Sequence, residues 1–515
     1  MEKERYLNQL LEVIQVLRGA ESDVARKHLK AYESNHTVNL RKMFQLYKCI
    51  KINEIRDYEK LKKRISPDST DDSFNKLIRR TTERLQESLI VDVNIRRKDA
   101  YNDIFRLKFR LLKKNMQCQI LIARGLVKQP LNMVNNSIRK AKKYELYSEI
   151  IELIRTKQTI LSRLKGITDY RELSTELEFY ENCRSLFNES RKFFEELNLT
   201  GLSILNKKSE SEKYLNNISK IYSNYELTSS KNILSYYYLL QIEVCKIGND
   251  HYGLIKNIKC LISEVTNSPV LYSVNRLSYL YNELAKSNLN VLDFQSTQDS
   301  LIESSNYISL KSVFYLNNQL LSVRLNNLKL DFFTSEKLAT NILNEGLTKS
   351  QPYYNSMFTI HTAVAYFGLK QYKEAQSILL QKNEIEKDKE GWNVWIRIMR
   401  LLCSIEMLKL NLIDYDIESF RKYLERTSKQ YEVRERDRLV LKVLQELDKN
   451  DYNFSLTAIV VADELEKLKS TNKKYAWNPD SPELILFHDW FESKLLKKEY
   501  EPNFEVYRAA MKKEE

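Results

Sequence analysis

Glycine and proline are scarce: nine glycines and seven prolines occur in 515 residues, about 3% together where average usage gives roughly 12%. Sheet proteins spend these residues on turns, so the shortage excludes a turn-dense β fold and points to long helices. Nucleotide loops are missing too, since neither G-x-x-x-x-G-K-[ST] nor G-x-G-x-x-G occurs. The five histidines (His28, His36, His251, His361 and His488) form no H-E-x-x-H and no zinc spacing with cysteine, so no metal or other cofactor is expected. There is no G-x-S-x-G nucleophile elbow. His488 and Asp489 are neighbours, but adjacent helix residues diverge by about 100° and are expected to pack or face solvent rather than act as an acid–base pair. The chain is expected not to be an enzyme.

Six cysteines (Cys49, Cys118, Cys183, Cys245, Cys260 and Cys403) stand singly. In a chain this large, that pattern implies reduced, packing thiols and an intracellular compartment. The start, MEKERYLNQLLEVIQVLRGAES, carries charges inside a helical period and lacks the apolar stretch of a signal peptide. No run approaches the ~18 apolar residues of a membrane span. A cytoplasmic protein with no membrane partner is expected. Its 43% apolar and 30% charged residues are those of a folded rather than a disordered chain.

Apolar residues recur at helical spacing almost throughout, as in Leu7, Leu10, Leu11, Ile14 and Leu17. Strand-like alternation is confined to short runs such as Val91 to Ile95. Loops are expected at Ser66 to Thr70, Asn198 to Gly201, Thr266 to Pro269, Ser350 to Pro352 and Asn478 to Pro482. Roughly two dozen helices are expected. Ser481-Pro482-Glu483 reads as a helix start, with Ser as cap and Pro at the first position.

Between His361 and Gln381 the sequence HTAVAYFGLKQYKEAQSILLQ sets a small residue, Ala363, and Tyr366 on one helix, then Ala375 and Leu379 on the next. Small residues suit a hairpin because its two helices approach to about 8–10 Å. The pattern resembles the tetratricopeptide repeat, although that family's Trp and closing proline are absent and Lys370 stands where a turn glycine is usual. Weaker copies are expected around Ala339, 36 residues before Ala375, around Ser419, 44 residues after it, and upstream through Gly125, Pro130, Ser137 and Ala141. The resemblance implies an all-α fold, a right-handed helical-hairpin (TPR-like) solenoid that binds a protein or peptide as scaffold, adaptor or regulator. Residues 1–99 are expected to form a basic helical subdomain, 100–450 the repeats, and 451–515 capping helices.

Charge is uneven. The net +14 arises between Thr37 and Lys143, which holds 27 Lys and Arg against 11 Asp and Glu. Helices are expected at Val38 to Ile50, Glu54 to Ile65 and Asp72 to Ile90, the last capped by Asp71 or Asp72. Three such helices suit a trihelical domain of helix-turn-helix type or a plain cap of the solenoid. Lys76, Arg80 and Arg84 share one side of the third helix, and Arg96, Arg97 and Lys98 follow, so these six are candidates for binding nucleic acid or another polyanion. An acidic protein surface, or solvent alone, suits the same face. The second functional reading is therefore a nucleic-acid-binding transcriptional regulator with a repeat-built sensor. Tyrosine is abundant, 32 residues including Tyr236 to Tyr238 and the pair Tyr353 and Tyr354, and fills ridges between helices or lines a binding groove.

Overall fold

The computed structural model describes residues 2–17, 19–31, 38–91, 103–164, 167–200, 208–308, 312–380, 385, 388, 390–409, 413–428, 433–472 and 474–513. Among these residues it holds 25 α-helices and no strand. Contacts divide the chain into two compact units, Met1–Ser185 and Leu186–Glu515. The boundary expected near residue 100 thus lies inside the first unit. Arg96, Arg97, Lys98 and most of the run from Val91 to Ile95 lie outside the described residues.

In the first unit, α1 (Glu2–Val16), α2 (Ala20–Ala31) and α3 (Val38–Lys51) pack around α5 (Asp71–Val91), with α4 (Tyr58–Ile65) beside α3. Leu10, Leu17, Leu46, Leu61, Phe74, Ile78 and Leu85 form the core. Helix α4 begins four residues later than the sequence suggested. Glu54 takes a left-handed φ of 53°, and Asp57 caps the helix by accepting from Lys60 N at 2.8 Å. The cap of α5 is Thr70, whose hydroxyl accepts from Ser73 N at 3.3 Å, rather than either aspartate. Helix α4 meets the start of α5 through Tyr58, set edge-on to Phe74 at 5.2 Å, and through the Lys62–Asp71 ion pair at 2.7 Å. Then come α6 (Asp103–Ala123), α7 (Lys128–Lys143) and α8 (Tyr147–Leu161), mutually packed, with Gly125 at φ 85° in the first turn. Helix α9 (Ile167–Thr200) runs across the division and continues through Asn198 to Thr200, where a loop was expected.

The second unit continues with α10 (Lys208–Thr228), then the pairs α11 (Lys231–Gly248) and α12 (His251–Asn267), α13 (Val274–Asn290) and α14 (Phe294–Ser305), α15 (Val313–Leu328) and α16 (Phe332–Asn344), α17 (Pro352–Gly368) and α18 (Tyr372–Leu380), and α19 (Trp392–Glu406) and α20 (Ile413–Ser428). Successive helices pack on one another, and α13, α15, α17 and α19 also touch in a row.

The five turns within these pairs share one construction. Asn249, Leu292, Leu330, Lys370 and Leu408 have φ between 55° and 63°. The following N–H reaches back to the carbonyl five residues earlier: Asp250 to Cys245, Asp293 to Asn288, Asp331 to Asn326, Gln371 to Tyr366 and Lys409 to Ser404, at 2.8–3.1 Å. This is the Schellman closure, made here without glycine at a cost of about 1 kcal/mol per turn. In three turns the next residue also caps the second helix: Asp250, Asp293 and Asp331 accept from Gly253, Ser296 and Thr334 N at 2.8–3.2 Å.

These turns set the repeat register at 38 to 43 residues. Five residues past each left-handed residue lie Leu254, Thr297, Ser335, Ala375 and Ile413, all buried; nine past it lie Ile258, Leu301, Ala339, Leu379 and Ile417, also buried. Ala339 therefore stands with Leu379, one helical turn from where the 36-residue spacing put it, and Ser335 stands with Ala375. Ser419 is exposed while Phe420 beside it is buried. Seven residues before each turn, Ile242, Ala285, Val323, Ala363 and Leu401 are buried. Tyr366 packs half-buried against the same core.

The chain ends with α21 (Glu435–Lys449), α22 (Phe454–Val460), α23 (Ala462–Lys469), α24 (Phe487–Leu495) and α25 (Glu505–Lys513). Helix α24 begins at Phe487, not Ser481. Residues 476–486 are non-helical, and Glu483 is buried against Arg436. This last stretch reaches back along the row. Arg508 donates to Leu292 O at 3.1 and 3.3 Å, and Phe504 packs on Phe294 and Trp477. None of the six cysteines forms a disulfide, and among the described residues no helix is long and apolar enough to cross a membrane.

Candidate functional site

A cleft of about 1150 Å³ lies within the second unit on the row of helices that begins each pair. Helical periodicity builds its floor: Asn317, Leu320, Leu321 and Arg324 share one face of α15, and Tyr353, Met357 and His361 one face of α17. Lys286 of α13, Trp392 at the start of α19, and Arg434, Arg436 and Arg438 around the start of α21 continue the lining. One wall is the chain's own non-helical segment from Lys474 to Pro482.

Arg324 holds that wall. Its guanidinium donates to Pro479 O, to Ser481 O at 3.1 Å and to Asp480 Oδ1 at 3.2 Å. Lys286 reaches the other oxygen of Asp480 at 2.9 Å. Arg324 is 8% exposed, yet among the described residues its Nε has no hydrogen-bond partner, and neither has the buried Ser481 Oγ. His361 lies beneath. Burial, and then the charge of Arg324, lower its pKa to about 3, so it is neutral; Asn327 Nδ2 lies 3.3 Å from its Nδ1. Burial, and then Glu390, raise Tyr353 to about 12, while Glu390 accepts from Trp392 Nε1 at 2.6 Å.

A second arginine of the lining, Arg436, ties the wall to the helices. Arg436 forks onto Glu483 at 2.5 and 2.9 Å and donates to Leu468 O at 2.6 Å and Tyr475 O at 2.9 Å. Its side chain is 4% exposed and that of Glu483 fully buried. His488 Nδ1 lies 3.0 Å from Arg436, and its pKa is lowered by burial and then by that charge. His488 Nε2 lies 3.4 Å from Asp489 Oδ1 in the first turn of α24. Asp489 is itself raised to about 6, chiefly by burial.

The sequence candidates lie elsewhere. Lys76 and Arg80 are exposed on α5, while Arg84 pairs with Glu87 at 2.6 Å and Arg79 with Glu83 at 3.6 Å. The solvent face of α5 is therefore of mixed sign. Ala363, Tyr366, Ala375 and Leu379 gather in one core at α17 and α18, and Ala339 joins the neighbouring core. Lys286, Arg324, Arg436, Asp480 and Glu483 were all missed. One signal was legible: Arg324 interrupts the apolar face of LLSVRLNNL, and a charge there needs a partner. Among the described residues no group of three or more His, Cys, Asp or Glu could hold a metal ion.

No protein-family model matches the chain, and no curated protein or solved structure matches it either.

Proposed function

We propose that this chain is a non-enzymatic helical-repeat scaffold or adaptor of TPR-like solenoid type, which binds a non-helical segment of a partner protein in the cleft. The observation that carries this reading is the cleft's own wall: Arg324 and Lys286 hold residues 479–481 by two backbone carbonyls and one carboxylate. A surface that holds an acid-bearing turn of its own chain has the chemistry to hold a similar stretch of another. Guanidinium forks match carboxylates and carbonyls, and the apolar floor of Leu320, Leu321 and Met357 receives side chains. The volume exceeds the ~300–1,000 Å³ of ordinary small-molecule pockets, which suits a peptide. The hairpins, at 38 to 43 residues, are longer than the ~34 of the tetratricopeptide family, so the likeness extends to the hairpin plan and not to its period.

The test is photo-crosslinking in cells from a benzoylphenylalanine placed at Tyr353, which lines the cleft and is half exposed. A reproducible adduct to one protein, lost when Arg438 and Lys474 on the cleft are both changed to Glu, is the expected result. No adduct, or one indifferent to those changes, overturns the reading.

A further inference from the structure

Helix α6, in the first unit, wears an apolar seam on its solvent side. Phe105, Leu112, Met116 and Ile120 are 41–53% exposed, although they are large and apolar. With half-buried Phe109 and exposed Ala123 they fall within ~80° of arc at 3.6 residues per turn. The spacing alternates four and three residues through Phe105, Phe109, Leu112 and Met116, which is the a/d rhythm of a two-helix seam. The helix is already held on another side by Leu111, Cys118 and Ile122, all buried, and by its contacts with α7 and α8. The seam is therefore a second apolar face, exposed at Leu112, Met116 and Ile120.

Charge decides what fits it. Helices α6 and α7 together carry ten Lys and Arg and one acid, Asp103. Arg106, Arg110 and Lys113 border one side of the seam and Lys108 the other, where it also pairs with Glu149 at 3.4 Å. Two copies of α6 laid seam to seam would set like charges along both borders, which disfavours self-pairing. A lipid surface finds a single helix's width of apolar contact, because the solvent face of α7 presents Lys128, Gln129, Asn132, Asn136, Arg139 and Lys140. An amphipathic helix with Glu or Asp flanking its apolar stripe meets both demands at once.

We propose that α6 is a docking surface for an acidic amphipathic helix of a partner protein. The seam buries the partner's a and d side chains, and the cationic borders set its identity and orientation. This surface is independent of the cleft in the second unit.

The experiment uses the full chain and two synthetic 21-residue helical peptides with Leu at a and d, one with Glu and one with Lys at e and g. The Glu peptide should bind, weaken as salt rises, and lose at least tenfold in affinity to a Leu112→Glu, Met116→Glu double variant whose thermal melt is unchanged. Those positions are exposed, so the variant keeps its core. Equal binding of both peptides, no binding, or indifference to the double variant overturns the proposal. So does a dimer by sedimentation that the double variant abolishes, or co-sedimentation with anionic vesicles that outcompetes the Glu peptide.

Discussion

Arg324 and Arg436 in the second unit meet an environment opposite to that of the arginines on α5 in the first. In Leu186–Glu515, Arg324 and Arg436 are buried and spend their donors on carboxylates and carbonyls of the C-terminal stretch. In Met1–Ser185 the cations stand on helix surfaces, some paired with nearby acids, as Arg79 with Glu83 and Arg84 with Glu87. A count of charge along the chain finds the excess in the first unit, yet the interactions that cost most to break lie in the nearly neutral second. Sign and number set the long-range field, whereas burial sets the energy of each pair.

Removing one partner of the buried pair tests that contrast most severely. Glu483→Gln should destabilise by about 3–5 kcal/mol, because Arg436 is left as an uncompensated buried charge. Urea unfolding followed by tryptophan fluorescence reads this directly, as Trp477 donates to Glu483 O. A double Arg436→Met, Glu483→Leu variant should recover a large part of the loss.

Acid sharpens the comparison next. His361 is neutral when folded, with a pKa near 3, while the unfolded chain protonates near 6.5. Between those values the unfolded state binds the proton first, so stability is fully present above pH 6.5 and falls by about 1.4 kcal/mol per pH unit below it. His488 acts in the same direction. Asp489, raised to about 6, acts the other way by taking its proton first in the folded state. The expected result is therefore a difference: His361→Asn should flatten the loss between pH 6 and 4.5 relative to the unmodified chain. An unchanged slope would remove His361 from the account.

Smaller effects follow. Asp331→Ala removes the cap on α16 and should cost about 1 kcal/mol, read as a lower urea midpoint at constant slope. Arg79→Ala breaks an exposed pair on α5 and should change stability by less than about 0.5 kcal/mol. A large loss at Arg79 would mean that surface charge holds the first unit together, and the contrast would fail.

The helices were legible wherever periodicity was strong: α3 and α5 begin and end within a residue or two of expectation. Their starts were harder, since Thr70 and Asp57 compete as caps with other polar residues nearby. The repeat register was misread because a small residue was taken as its marker. Ser335, Thr297 and Ala375 share a buried position that chemistry alone does not unify. The better marker was Asp after a left-handed residue, as in Leu292-Asp293 and Leu330-Asp331, but leucine gives no hint of positive φ. Of the cleft almost nothing was visible, because Arg324 and Asp480 lie 156 residues apart in sequence.

Scarce glycine and proline, 3.6-residue periodicity and the basic segment from Thr37 to Lys143 are local properties, and the sequence by itself determined them. It determined that the protein is helical and where its positive charge concentrates. The tertiary structure decided which charges are buried, since Asn478 to Pro482 reads as an ordinary loop until Lys286 and Arg324 close on it. It also decided which apolar faces are covered: α6 has two, and only packing distinguishes Leu111 and Cys118 from Leu112 and Met116. Secondary structure follows from contacts between near neighbours in the chain. A site follows from contacts between distant ones, and those depend on how every helix between them packs.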